Sequence, residues 1–120
     1  MPSPQKKARD RGKRNQRNVI KLLKEYDKEL RNIGIAGAED LVGKTLVVEA
    51  KEREKLPKWL LHAFDQLREQ DHPEKIHVVQ IHLLRRKHLN DIIMMTMKTF
   101  IRLLKAFIKR EGRDETSPSH

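Results

Sequence analysis

The sequence predicts a single small mixed α/β domain, and three observations carry that reading. The 120 residues are one domain's worth of chain, 37 % hydrophobic and 37 % charged. Apolar residues recur at helical spacing in three separate stretches. Between those stretches lie short β-branched runs, bounded by glycine or by an Asp-His-Pro turn. The order that results is helix, two or three strands, helix, one or two strands, helix.

Residues 1–10 hold two prolines and several Lys and Arg without apolar periodicity, and read as a flexible basic arm. From Lys13 a helix is expected, with Val19, Leu22, Leu23, Tyr26 and Leu30 on its apolar stripe and cations on the other. Gly34 and Gly37 break it. Asp40-Leu41-Val42 and Thr45 to Lys51, split by Gly43-Lys44, read as a tight hairpin. Leu60, Ala63, Phe64 and Leu67 mark a second helix, with Pro57 suited to its first turn. Residues 76–84 and 92–95 are β-rich, and Met97, Phe100, Ile101, Leu104, Phe107 and Ile108 mark a final amphipathic helix. The domain is expected over residues 11–110, with 111–120 a disordered polar tail.

Lysine and arginine number 27 against 17 acidic residues, a formal charge of +10, which predicts a polyanionic partner. No apolar run approaches the ~20 residues of a bilayer-spanning helix. The absence of cysteine excludes disulfides, thiolate zinc sites and cysteine nucleophiles. The basic start lacks the apolar stretch of a secretion signal, so a cytoplasmic location is expected, or a host cytoplasm for a phage protein. His62, His72, His77, His82, His88 and His120 are scattered and suggest no metal set.

The chemistry concentrates in the hairpin. A two-residue loop at Gly43-Lys44 sets Val42 against Thr45 and Asp40 against Val47. Asp40, Val47, Glu49 and Lys51 then share one face, while Leu41, Leu46, Val48 and Ala50 share the other. Asp40 and Glu49 become diagonal neighbours, with α-carbons roughly 7–8 Å apart. Two carboxylates converging there can hold Mg²⁺ or Mn²⁺. Lys51 stands where it can orient an attacking water or neutralise charge on a phosphorane. Solvated charges on an antiparallel hairpin are the bland alternative.

The run Asp40-Leu41-Val42-Gly43, then Leu46-Val47-Val48-Glu49-Ala50-Lys51 behind a basic helix, resembles the PD-(D/E)XK nuclease superfamily. Within it the chain is most similar to the small archaeal and phage-type Holliday junction resolvases. Arg11 to Leu23, Glu52 to Leu56 and Arg85-Arg86-Lys87 extend the likeness. The resemblance implies a restriction-endonuclease-like fold, a mixed β-sheet flanked by helices. It implies a Mg²⁺-dependent endonuclease (or Mn²⁺-dependent), acting as a homodimer on four-way DNA junctions in recombination and repair. Asp40 and Glu49 would ligate the metal with the Ala50 carbonyl, and Lys51 would be the catalytic lysine. Two features depart from the pattern: Gln16 stands where the family's first helix carries a glutamate, and no hydroxyl residue is evident ahead of Asp40.

Duplex contacts are expected from Lys6, Lys7, Arg9, Arg11, Lys13, Arg14, Arg17, Arg53, Arg85, Arg86 and Lys87. The last helix or residues 92–95 would form the dimer surface. Rival readings are another PD-(D/E)XK nuclease of repair or restriction type, and a catalytically silent nucleic-acid-binding protein. Membrane-surface binding through Lys98, Arg102, Lys105 and Lys109 is the remaining one.

Overall fold

A computed structural model describes residues 3–33 and 40–116. The architecture is mixed α/β, with three α-helices and two small sheets, and the chain divides into two compact units, Met1–Glu54 and Lys55–His120. The strands do not join in the one mixed sheet expected. Among the described residues they form a three-stranded and a two-stranded sheet, each antiparallel throughout. Strands 40–42 and 47–49 are joined by a short turn, and such connections favour antiparallel ladders.

In the first unit, helix α1 spans Pro4–Leu23. It starts well before the expected Lys13, because Ser3 and Pro4 make a strong helix entrance. The Ser3 hydroxyl accepts from the Lys6 backbone N–H at 3.2 Å, and Pro4 fits the first turn, where no N–H is needed. The stretch expected as an irregular arm is therefore helical from Pro4 onward. Gln16 and Leu23, seven residues apart, are its buried positions. Lys7, Arg14 and Lys21 run along the opposite side, at steps of seven, and are exposed.

Beyond α1 the Leu23 carbonyl accepts from both Tyr26 and Asp27 N–H, at 2.9 and 3.0 Å, and this turn delivers Asp27 to the sheet. Strands β1 (Arg31–Asn32), β2 (Asp40–Val42) and β3 (Val47–Glu49) follow in order. The register pairs Asp40 with Glu49, Leu41 with Val48 and Val42 with Val47. The hairpin loop is thus Gly43 to Leu46, two residues longer than expected, closed by Gly43 N–H donating to Leu46 O at 2.8 Å. Because the slip is two residues, the faces survive: Leu41 and Ala50 are buried, while Val47 and Glu49 face solvent.

The cause of the longer loop is Asp27, only 4 % exposed. Its carboxylate accepts from the backbone N–H groups of Lys44 (3.1 Å), Thr45 (2.9 Å) and Leu46 (2.9 Å), and from Glu29 (3.3 Å). Burial pushes the Asp27 pKa up, but the donors at Thr45, Leu46, Lys44 and Glu29 together outweigh it and hold the carboxyl below its ordinary value. A Cβ on Gly43 would collide with the Asp27 carboxylate, so the close approach requires glycine there.

The second unit carries α2 (Lys58–Gln66), β4 (Val79–Ile81), β5 (Ile92–Met94) and α3 (Met97–Thr116). Leu60 and Leu104 are its buried apolar side chains, joined by Thr99 and His77. The Thr96 hydroxyl accepts from Thr99 N–H at 3.3 Å and caps α3, which continues past the expected end at residue 110.

Asp27→Asn should lower unfolding free energy by about 2–3 kcal/mol, because an amide cannot accept from all four donors. The folded carboxyl binds a proton less readily than the unfolded one, whose pKa is near 3.8. The Asp27 contribution is therefore complete above that value and is lost as pH falls through the lower folded pKa. In urea titrations the gap between wild type and Asp27→Asn should be constant above about pH 5 and close toward acid.

Candidate functional site

The outer face of the β2–β3 hairpin brings three of the expected residues together. Asp40 lies directly across from Glu49 in the ladder, not diagonal to it. Directly opposed α-carbons stand roughly 4.5–5.5 Å apart, closer than the expected diagonal. Lys51 follows on the same side, its Nζ 3.1 Å from Glu49 Oε1. Both side chains are about half exposed, at 48 % and 53 %, so the pair is solvated and weak in itself. Ala50, between them in sequence, is buried at 7 % and anchors the strand's inner side. Aspartate, glutamate and backbone carbonyl offer only oxygen donors, the kind that Mg²⁺ or Mn²⁺ prefers.

Gln16 is placed differently. It is buried, and its Oε1 accepts from Asn32 Nδ2 at 2.7 Å, tying α1 to β1. Asn32 is the register partner of Leu41, so the bond lies on the inner face of the sheet. The structure thus joins Asp40, Glu49 and Lys51 through the hairpin and gives Gln16 a strut between helix and sheet. Neither Asn32 nor Asp27 stood out in the sequence, where Asp27 is one of three acids at alternate positions, with Glu25 and Glu29.

Where the chain leaves β3 it opens a cleft of about 460 Å³ against the N-terminal half of α1. Arg11, Gly12 and Ala8 line it from the helix, and Ala50 to Glu54 from the strand exit. Arg11, Lys51 and Arg53 bring positive charge there against Glu52 and Glu54. The other helix cations, Lys6, Lys7, Arg9, Lys13, Arg14 and Arg17, are all exposed along α1, a rod of about 30 Å by its 20 residues. Arg85, Arg86 and Lys87 are exposed in the second unit, on the loop between β4 and β5.

That same loop gathers side chains expected to be scattered. His82 Nδ1 and His88 Nδ1 lie 2.6 and 2.9 Å from the two carboxylate oxygens of Asp91. The hydrogen bonds from His88 and His82 hold the Asp91 carboxyl below the usual carboxylate range. On α3, Arg102 gathers the carbonyls of Glu74, Lys75 and Pro73 at 3.0 to 3.4 Å, which gives its guanidinium a structural task.

Comparison of the chain with protein-family models, with curated proteins and with solved structures returned no match. Among the described residues no helix is long and apolar enough to cross a membrane.

Two substitutions probe this framework. Gln16→Leu removes the acceptor of the Asn32 amide and should cost about 1 kcal/mol in chemical denaturation. Gly12 sits inside α1, and no heavy atom lies within 4 Å of where its Cβ would stand. Gly12→Ala should therefore stabilise the fold, by about 0.5–1 kcal/mol in the same measurement.

Proposed function

We propose that the protein is a divalent-metal-dependent endonuclease with a restriction-endonuclease-like centre, acting on branched DNA of the Holliday junction type. The observation that carries this reading is the direct opposition of Asp40 and Glu49, with the Lys51 ammonium 3.1 Å from Glu49, on a solvent-facing hairpin. Such an arrangement is poor for stability, since like charges directly opposed in a ladder repel. Its value lies in holding a cation.

Asp40, Glu49 and the Ala50 carbonyl would hold Mg²⁺ or Mn²⁺. A bound ion there supplies Lewis-acid polarisation of a phosphoryl oxygen and acidifies a bound water. Lys51 donates toward the attacking water and toward the charge that gathers on phosphorus. Attack of water would form the new P–O bond in line with the one that breaks, the water's proton passing to solvent and the departing deoxyribose oxygen taking one from solvent. Arg11 and Arg53, in the adjoining cleft, bind the phosphates on either side. Gln16 is a positioning residue acting through Asn32. The exposed cations of α1, with Arg85, Arg86 and Lys87, contact backbone phosphate, which conveys DNA shape and not sequence. A junction has approximate two-fold symmetry, and a homodimer presents two such centres to it. The half-exposed Ile92 and Ile93 and the Phe107 face of α3 are the surfaces proposed for pairing.

One observation favours a second reading, a nucleic-acid-binding protein without cleavage. Gln16 brings no negative charge to the centre and its carbonyl oxygen is engaged by Asn32. Cleavage assays on a labelled four-way junction and on a linear duplex, with Mg²⁺ and Mn²⁺, separate the two. The nuclease reading expects junction cleavage that falls roughly 100-fold or more in Asp40→Asn, Glu49→Gln and Lys51→Met. Gel-shift affinity in those variants should stay near wild type. Wild-type protein that binds junctions yet is inert with both metals would be a binding module. In either case affinity should fall with salt, with a log–log slope of about −0.9 for each phosphate neutralised.

A further inference from the structure

The loop between β4 and β5 carries a polar cluster that the nuclease reading does not use. Ile81 and Ile92 are the last register pair of the hairpin, so His82 and Asp91 face each other at the next step. A single 3₁₀ turn, His88–Asn90, returns the chain so that His88 also reaches Asp91. Asp91 thereby meets one imidazole at each oxygen, both through Nδ1, at 2.6 and 2.9 Å. Gln80, on β4, donates its amide to Asp91 Oδ2 at 2.5 Å. The two rings stack with centroids 4.1 Å apart and planes 29° from parallel. One donor atom from each of the three residues lies within 4.8 Å of the other two.

Two features separate this cluster from ordinary surface hydrogen bonding. The first is that a carboxylate is approached by two imidazoles through the same ring nitrogen, from opposite sides of a ten-residue loop, 82–91. One divalent ion can take both ring nitrogens and a carboxylate oxygen as donors. The second is the Gln80 amide, which fixes the carboxylate from behind as outer partners of metal ligands do.

We propose that His82, His88 and Asp91 form a transition-metal site of the zinc class, the ion replacing the Nδ1 protons and clipping the loop that carries Arg85, Arg86 and Lys87. Two imidazoles and a carboxylate are borderline donors that suit Zn²⁺, Co²⁺ or Ni²⁺ and not Mg²⁺. With bonds of about 2.0–2.1 Å, tetrahedral donors sit roughly 3.3 Å apart, so each Nδ1–oxygen contact must open by about half an ångström. His82 is 31 % and His88 79 % exposed, which leaves both free to move by that amount. Three protein ligands leave a fourth position for water. The proposal is independent of the nuclease reading, whose ligands lie in the other compact unit.

The test uses the full chain, stripped with chelator and dialysed against Zn²⁺, with Co²⁺ absorption as the reporter of coordination. The expected result is one equivalent per chain, a tetrahedral Co²⁺ spectrum and a rise in melting temperature. His82→Ala and His88→Ala should each weaken Zn²⁺ binding by roughly 10–100-fold or more, with far-UV circular dichroism unchanged. His62→Ala, on the exposed side of α2, should bind as wild type does. Wild type that retains Zn²⁺ no better than the His82→Ala/His88→Ala double variant overturns the proposal, as does loss of the site in His62→Ala.

Discussion

The contact between Asp27 and the loop after β2 governs the first unit. One carboxylate accepts the N–H groups of Lys44, Thr45 and Leu46, three consecutive donors that would otherwise be unpaired at a hairpin end. That sets the loop length, the loop length sets the register, and the register sets Asp40 against Glu49. Gly43 completes the arrangement, since any side chain there would occupy the space of the carboxylate. The candidate site is therefore built from outside: its geometry is decided by an acid that faces away from it and lies thirteen positions before Asp40 in the chain.

This explains which parts of the site were legible in the sequence. The sharing of a face by Asp40, Glu49 and Lys51 follows from two-residue periodicity, and a slip of two residues leaves it intact. The loop length itself was not legible, because Gly43-Lys44 is a sound two-residue turn until a buried carboxylate captures the next N–H groups. The order of helices and strands was likewise readable from periodicity. The helix start at Pro4 was missed because cations without apolar partners hide a helix, although Ser3-Pro4 held the capping signal. The glycines expected to break the helix, Gly34 and Gly37, lie outside the described residues.

The missed polar contacts share one physical character. Gln16 with Asn32, and His82 and His88 with Asp91, are each set by which strands pair and in what register. His82 and His88 are six apart and His88 and Asp91 three apart, a spacing that puts no more than two of them on one face of a straight strand or helix. Only the pairing of Ile81 with Ile92 folds these positions onto one point. Linear spacing is informative within an element and weak across a long loop.

The two hairpins then offer cations different chemistries. On the first, the proposed ligands are oxygen donors with the Lys51 ammonium beside Glu49, which would suit a hard ion. On the second, paired imidazoles suit a borderline ion held for structure or for a bound water. Affinity order alone would send Zn²⁺ to any site ahead of Mg²⁺, so ligand type must do the sorting. On the proposed assignments, imidazoles beside a carboxylate on one hairpin and oxygen donors alone on the other would provide that sorting. On the proposed assignments, Zn²⁺ would be a poor surrogate for Mg²⁺ in an assay of the first hairpin, because imidazole donors favour it at the second.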